Sequence, residues 1–338
     1  MIQQAIDKLV RGEDLSCEQA HDSMKQIMSG ETTDAQIGAF LVALRMKGEK
    51  PQEIAGFAQA MREKATPVKT ERPGVIDMCG TGGDGAGTFN ISTIASLVVA
   101  GCGIPVAKHG NRSVSSKCGS ADLFRQLGVK IDLSADKLSE CLDKIGFAFL
   151  FAPTLHQAMK YAIGPRREIG IRTVFNILGP ITNPAGTKRQ VIGVYDAGIA
   201  RPLAEVLRQL GAEKVLMVYG QEGLDEVSIS YPTRMVELTD GEIIEKSVTP
   251  QDFGLKPAPV ETVKGGDVQE NAEIALRILQ GEPGAKRDVV VANAACGLYV
   301  AGAVANFKEG ARLAEESIDS GAALEKLQEL QRISNAYE

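Results

Sequence analysis

Between Asp77 and Asp122 the chain gathers residues suited to holding phosphate. Gly80-Thr81-Gly82-Gly83-Asp84 opens a loop, Cys79 to Asn90, that contains Gly80, Gly82, Gly83, Gly85 and Gly87. Asn90, Ser92 and Thr93 stand at the start of an apolar run, Ile91 to Ala100, that reads as a buried helix. Glycines let a backbone approach an anion closely, and the N–H groups at a helix start attract negative charge. Ile104 to Ala107 then reads as a buried strand. It leads into a second polar loop, Lys108 to Ser120, with Lys108, His109, Gly110, Asn111, Arg112, Lys117 and the serines Ser113, Ser115, Ser116 and Ser120. Lys108 can pair with a phosphate, and Ser115 and Ser116 can donate hydrogen bonds to it. In an open parallel sheet, ligands bind beyond the strand C-termini, where both loops fall. Neither loop is a Walker A sequence, because no Gly-Lys-Ser/Thr closes it. Asp84 and the Thr88-Phe89-Asn90 insertion break the dinucleotide fingerprint. Alone, the glycine loop favours a tight strand-to-helix turn with no ligand; the polar helix start shifts the balance to a phosphate or sugar-phosphate site.

Two further groups carry possible chemistry. Asp225-Glu226 follows another predicted strand. Spacing alone makes the pair surface acidity, but beside phosphate loops such hard oxygen ligands suit Mg²⁺. Arg166, Arg167 and Arg172 follow Pro165, and a guanidinium fork matches a carboxylate bidentately. For Arg167 and Arg172 helix-surface salt bridging is the simpler expectation; for Arg112 and Lys117 the alternative to a site role is ordinary solvated charge. His109 is either a structural histidine or a site residue. His156 reads as a packing or pocket-lining residue, and His21 as a surface helix residue.

The elements that must position these residues come in two kinds. Residues 1 to 68 read as helices: Ile2, Ala5, Ile6, Leu9 and Val10 form a helical stripe, Ser16 to Gln19 and Thr33 to Gln36 fit capping boxes, and Pro51 suits a first turn. From Pro73 strands alternate with helices, which implies a mainly parallel sheet with crossovers. Val75 to Met78 is the first strand. Ser120 is expected to cap a helix to Leu127, and Ser134 another to Ile145, stopped by Gly146. Phe147 to Ala152 is an apolar strand. Residues 153 to 187 break the rhythm, with helices Thr154 to Ala162 and Arg166 to Ile177 around a break at Gly164-Pro165. Strands Gln190 to Tyr195 and Lys214 to Tyr219 restore it, and Asp240-Gly241 joins a hairpin. Helices follow from Gly266. The expected fold is α/β, with a small discontinuous all-helical domain (1–70 plus 153–187) hinged to a larger α/β domain (71–152 plus 188–338) that has a mainly parallel central sheet.

Composition excludes some partners. The 338 residues are 44% hydrophobic and 24% charged, ordinary for a globular protein. A net charge of -6 gives no overall attraction to nucleic acid. No apolar run reaches the roughly 20 residues of a membrane span, and no N-terminal signal region is visible. Six cysteines without metal-ligand spacing fit reduced thiols, so a cytoplasmic protein without nucleic-acid or membrane partners is expected.

Taken together, GTGGD at Gly80 to Asp84, NIST at Asn90 to Thr93, KHGNRSVSS at Lys108 to Ser116, GSAD at Gly119 to Asp122, GIRTVFNILGPITNP at Gly170 to Pro184 and Asp225-Glu226 resemble the anthranilate phosphoribosyltransferase family. The resemblance covers essentially the whole chain. It implies a nucleoside phosphorylase/phosphoribosyltransferase-like fold, a homodimer through the helical domain, Mg²⁺ as cofactor, and functional association with a separate anthranilate synthase. It implies transfer of a phosphoribosyl group from phosphoribosyl pyrophosphate to the amino group of anthranilate. On the family pattern, Gly80, Gly83, Asp84, Thr88, Asn90, Ile91, Ser92 and Thr93 form one part of the phosphoribosyl pyrophosphate site. Lys108, His109, Gly110, Asn111, Arg112, Ser113, Val114, Ser115, Ser116 and Ser120 form the other. Ser92, Asp225 and Glu226 are the implied Mg²⁺ ligands. Gly80, Asn111 and Arg166, with His156, are the implied anthranilate contacts, and Lys108, Asn111 and Arg166 the implied catalytic residues. Cys118 departs from the pattern, where Ser is expected. The rival readings are a pyrimidine nucleoside phosphorylase-like enzyme, for which the chain looks short, and a non-catalytic nucleic-acid-binding relative, which the net charge disfavours.

Overall fold

The computed structural model describes residues 1–112 and 117–336. Four helices open the chain: α1 (Ile2–Val10), α2 (Cys17–Met28), α3 (Asp34–Lys47) and α4 (Pro51–Lys64). The expected caps form. Ser16 Oγ accepts the Gln19 N–H at 3.1 Å and Gln19 Oε1 accepts the Ser16 N–H at 3.2 Å; Thr33 and Gln36 repeat the exchange. Buried Glu53 takes the Leu15 and Lys50 N–H groups at 2.8 Å and the Lys47 ammonium at 2.9 Å, so its charge is fully partnered.

The α/β part begins with β1 (Ile76–Gly80), α5 (Ile91–Gly101), β2 (Val106–Gly110), α6 (Ser120–Gln126), α7 (Ala135–Ile145) and β3 (Phe147–Phe151). Helices α8 (Ala152–Leu155), α9 (Lys160–Ile169) and α10 (Phe175–Leu178) follow. Then come β4 (Arg189–Gly193), α11 (Ala200–Gln209), β5 (Lys214–Gly220), β6 (Thr233–Thr239) and β7 (Glu242–Val248). The chain closes with α12 (Val268–Leu279), α13 (Ala285–Ala301), α14 (Phe307–Asp319) and α15 (Ala322–Asn335). One sheet runs β3-β2-β1-β4-β5-β6-β7. Its first five strands are parallel, and β6 and β7 add an antiparallel hairpin. Asp240 and Gly241, at φ 50° and 80°, make its tight turn. The winding reverses between β1 and β4, which opens a crevice at the carboxyl ends of those strands.

Side chains alternate across the sheet as strand pleating requires. Ile76, Met78, Val106, Phe147, Phe149, Val191, Leu216 and Val218 share one core with α5 and α13. Ile192, Val215 and Met217 face the other way, into a core shared with α11 and the N-terminal helices. Helix α9 packs on α2 and α3, and α10 on α4. Among the described residues no helix is long and apolar enough to cross a membrane.

Several expectations need correction. β1 and β2 run to Gly80 and Gly110, so Cys79, Gly80, Lys108, His109 and Gly110 lie on strands rather than in loops. The reason is pairing: β2 matches β3 residue by residue from Val106–Phe147 to Gly110–Phe151. The cap of α6 is Gly119, whose N–H goes to Asp122 Oδ2 at 3.0 Å; Ser120 is the first helical residue and its hydroxyl donates to the Asn111 carbonyl instead. Gly164-Pro165 does not break the chain into two helices. Pro165 sits inside α9, buried beside Ala162, and the helix ends at Gly170 in the left-handed region.

Candidate active site

At the crevice, the loop after β5 reaches back to both the glycine loop and the start of α5. Asp225 Oδ2 accepts the Gly82 N–H at 2.9 Å. Glu226 Oε1 accepts the Ser92 N–H at 3.0 Å, on the positive end of α5. Asp84 completes the tie: its Oδ1 accepts the Ala86 N–H at 3.1 Å and its Oδ2 accepts the Asp225 N–H at 3.5 Å. Asp225 crowds Gly80, where a Cβ would lie 2.9 Å from Asp225 Oδ2. Burial, followed by the charges of Glu226 and Asp84, holds the Asp225 carboxyl well above the usual range, against the Gly82 N–H. Burial pushes Glu226 up to about 7, with Lys108 and Ser92 opposing. Three acidic side chains thus meet at the glycine loop and the start of α5.

Asn90 is the N-cap of α5, yet its side chain makes no cap bond; its amide donates to the Cys118 carbonyl at 3.0 Å and so joins the two loops. Ile91 and Thr93 are buried, and Thr88 forms an isolated bridge with Lys264. Cys118 is buried, with its thiol toward the Gly119 carbonyl.

Lys108 departs most from expectation. It is 2% exposed, and its ammonium donates to the Met78 carbonyl. Burial lowers its pKa, while Asp77, Cys79 and Glu226 raise it. Asp77, fully buried, accepts the His109 N–H at 3.0 Å, Asn183 Nδ2 at 2.8 Å and Gln190 Nε2 at 3.4 Å. His109 Nδ1 lies 3.1 Å from the Gly179 carbonyl. The rings of His109 and His156 are 5.1 Å apart. Burial brings His109 down to about 3, with the neighbouring His156 adding to the shift, and brings His156 down to about 4. Both are therefore neutral imidazoles at pH 7. Among the described residues the Nε2 atom of each is buried without a hydrogen-bond partner.

Asn111 Oδ1 accepts the Arg112 N–H at 2.7 Å, and the Arg112 guanidinium stands 5.8 Å from the Phe151 ring. Ser113, Val114, Ser115 and Ser116 lie outside the described residues. Arg166 lies 5.0 Å from the Phe175 ring; burial lowers its pKa, and among the described residues no carboxylate pairs with it. Arg172, exposed and outside any helix, makes no helix-surface salt bridge among the described residues: it stacks 4.1 Å from the Tyr195 ring and donates to the Gly83 carbonyl. The α9–α10 connection therefore grips the glycine loop directly.

Sequence reading missed Gly193 in β4. A Cβ there would lie 1.6 Å from the Asp225 carbonyl oxygen, so the acidic loop crosses directly over this glycine. The Asp77–Asn183–Gln190 network was also missed, because its members lie far apart in the chain.

Residues 3–65 match a glycosyl transferase family, helical bundle domain, and residues 72–324 match a glycosyl transferase family, a/b domain. An anthranilate phosphoribosyltransferase of Pelotomaculum thermopropionicum is 56% identical over 98% of this chain and 96% of its own length. The anthranilate phosphoribosyltransferase structure from Thermus thermophilus superposes with a TM-score of 0.92 at 43% identity, covering 98% of this chain and 99% of that one. The Saccharomyces cerevisiae anthranilate phosphoribosyltransferase in complex with PRPP and Mg gives 0.91 at 29% identity, over 99% and 98% of the two chains. At that likeness over nearly its full length, the chain belongs to the anthranilate phosphoribosyltransferase family.

Proposed function

We propose that this chain transfers the 5-phosphoribosyl group of phosphoribosyl pyrophosphate to the amino group of anthranilate, giving N-(5-phosphoribosyl)anthranilate and pyrophosphate, a step of tryptophan biosynthesis. The observation that carries this reading is the Asp225-Glu226 pair, bonded at once to the glycine loop and to the start of α5. Family membership supports it, as does the yeast relative's complex with PRPP and Mg.

The donor set fits Mg²⁺. After burial, Glu226 and Asp84 raise the Asp225 carboxyl, and Asp84 also raises Glu226, a crowding that a divalent cation relieves. Among the described residues no group of three or more His, Cys, Asp or Glu side chains could hold a metal on its own. That suits an ion that keeps waters and leans on substrate phosphates. Ser92, Asp225 and Glu226 would hold it. When bound, Mg²⁺ supplies Lewis-acid neutralisation of the departing diphosphate.

The chain's own residues do the rest. N–H groups of Gly80, Gly83 and Asp84 and of the α5 start, with Thr88, Asn90, Ile91, Ser92 and Thr93, cradle the phosphates. Lys108 sets a buried positive charge beneath them, and His109, Gly110, Asn111 and Arg112 with Ser120 close the second side; the family pattern assigns Ser113, Val114, Ser115 and Ser116 to the same substrate. Arg166 takes the anthranilate carboxylate as a bidentate pair, with Asn111, Gly80 and His156 orienting the ring. The aniline nitrogen is uncharged at pH 7, so no strong base is required, in keeping with two neutral histidines. The barrier is charge separation, which electrostatics and positioning lower.

Residues 1–70 with 153–187 form the anthranilate side and the dimer contact, and 71–152 with 188–338 form the phosphoribosyl pyrophosphate side. The packing of α9 and α10 on the first four helices supports this division, and exposed Val10, Met46 and Ile163 on α1, α3 and α9 support a homodimer. The protein works in the cytoplasm, beside a separate anthranilate synthase. The test is loss of anthranilate fluorescence on mixing with phosphoribosyl pyrophosphate and Mg²⁺. Loss without phosphoribosyl pyrophosphate, or none with all components, refutes the reading; turnover of thymidine with phosphate would favour a nucleoside phosphorylase.

A further inference from the structure

A loop with five glycines loses much conformational entropy on ordering, so its shape must be imposed from outside. The half nearest β1 is held by Asp225, Asp84 and Arg172. The other half is held by a segment that belongs to no signature motif, residues 262–266. The Gly265 N–H donates to the Gly87 carbonyl at 3.0 Å. Lys264 pairs with Thr88 in an antiparallel bridge, and its ammonium donates to the Ala86 carbonyl. The approach is backbone to backbone: a Cβ at Gly265 would lie 2.6 Å from the Phe89 nitrogen and 2.7 Å from its Cα.

The segment has its own anchor. Val263 is buried. The Lys286 ammonium, from α13, donates to the Thr262 carbonyl at 2.9 Å and the Lys264 carbonyl at 2.7 Å, on either side of Val263. It also stands 5.6 Å from the Phe89 ring. Asn271 takes the Gly266 N–H at 2.9 Å and offers its amide to Asn90 Oδ1 at 3.4 Å. One cation thus joins α13, the 262–266 segment and the residue just before the α5 cap.

We propose that residues 262–266 act as a strap across the glycine loop and that Lys286 is a positioning residue for phosphoribosyl pyrophosphate, acting through that strap without touching substrate. The proposal rests on the functional reading above. Lys286→Met keeps the aliphatic stem and removes both carbonyl bonds. It raises the KM for phosphoribosyl pyrophosphate about tenfold, leaves kcat and the anthranilate KM within about twofold, and is largely rescued by Lys286→Arg. Gly265→Ala moves the strap without altering charge and gives the same one-sided rise. An unchanged phosphoribosyl pyrophosphate KM in either variant, an equal rise in both KM values, or a lowered thermal midpoint with unaltered kinetics overturns the proposal. Amide exchange separates its failure from failure of the functional reading. In Lys286→Met the Gly265 N–H exchanges faster than in the unmodified protein whether or not the enzyme turns over anthranilate, and an equal rate also overturns it.

Discussion

Gly193→Ala is the sharpest perturbation of the acidic loop. The added Cβ would begin 1.6 Å from the Asp225 carbonyl oxygen, whereas a carbon and a carbonyl oxygen settle at about 3.3 Å. The two backbones must therefore separate by roughly 1.7 Å. β4 cannot yield: it lies between β1 and β5, paired from Arg189 to Gly193 on both sides, and the Gly193 carbonyl accepts the Thr81 N–H at 2.9 Å. The displacement falls on Asp225 and Glu226, whose bonds to Gly82 and Ser92 are 2.9 and 3.0 Å long and break over that distance. Misplacing catalytic groups by about 1 Å costs around 100-fold in rate. Gly193→Ala should thus lower kcat/KM by about 100-fold or more and raise the Mg²⁺ concentration for half-maximal rate. Gly56→Ala is the control, because a Cβ there would lie 2.2 Å from the Cys17 carbonyl oxygen, between α2 and α4 and away from the site. It should cost about 1–3 kcal/mol of stability and leave the Mg²⁺ profile alone. The assay is anthranilate fluorescence against Mg²⁺ concentration, with urea midpoints for both variants. A folded Gly193→Ala enzyme with an unaltered Mg²⁺ profile, or a Gly56→Ala enzyme with the same kinetic loss, refutes the reasoning.

Arg166→Ala removes a charge-assisted pair of about 1.5–3 kcal/mol and should lower kcat/KM for anthranilate by roughly 10- to 150-fold; unchanged anthranilate KM and kcat/KM would make the carboxylate role wrong. Asp225→Asn combined with Glu226→Gln should flatten the response of rate to Mg²⁺, and an unaltered response would remove the metal assignment. Stability should fall on acidification through the paired histidines. His156 titrates at about 4 in the fold and near 6.5 when unfolded, so the unfolded chain binds more protons between those values. Its contribution is fully present above about pH 6.5 and is lost as pH falls toward 4, reaching about 2 kcal/mol by pH 5. Urea midpoints at pH 7 and pH 5 should therefore fall less in His156→Phe than in the unmodified protein; equal falls would contradict a neutral buried imidazole.

Local chemistry made much of the molecule readable. Ser16, Thr33 and Ser134 carry their caps in the side chain, Gly146 announces a left-handed stop, and Asp240-Gly241 can do little but turn. The loop before α5 was legible because its glycines oppose regular structure and the apolar run from Ile91 reads as a buried helix. What was missed depends on distant partners. Lys108 looked like a loop cation because its pairing with β3 and its proximity to Asp77 belong to the sheet, not to the sequence near it. Pro165 looked like a break, but its burial beside Ala162 keeps α9 continuous. Arg172 looked like a helix-surface salt-bridging residue because Tyr195 and Gly83 are far along the chain. The strap had one faint sign, the adjacent Gly265-Gly266, and nothing local could connect it with Gly87.

The two margins of the sheet are protected in different ways. β3, entirely apolar, lies at one margin beneath α7 and α15. β7, at the other, carries Glu242, Glu245 and Lys246. An incoming chain could add a strand only by desolvating those charges or prising helices from Phe147–Phe151. A sequence with so fibre-prone a stretch as Phe-Ala-Phe-Leu-Phe can thus remain dispersed at high concentration, as long as α7 stays docked.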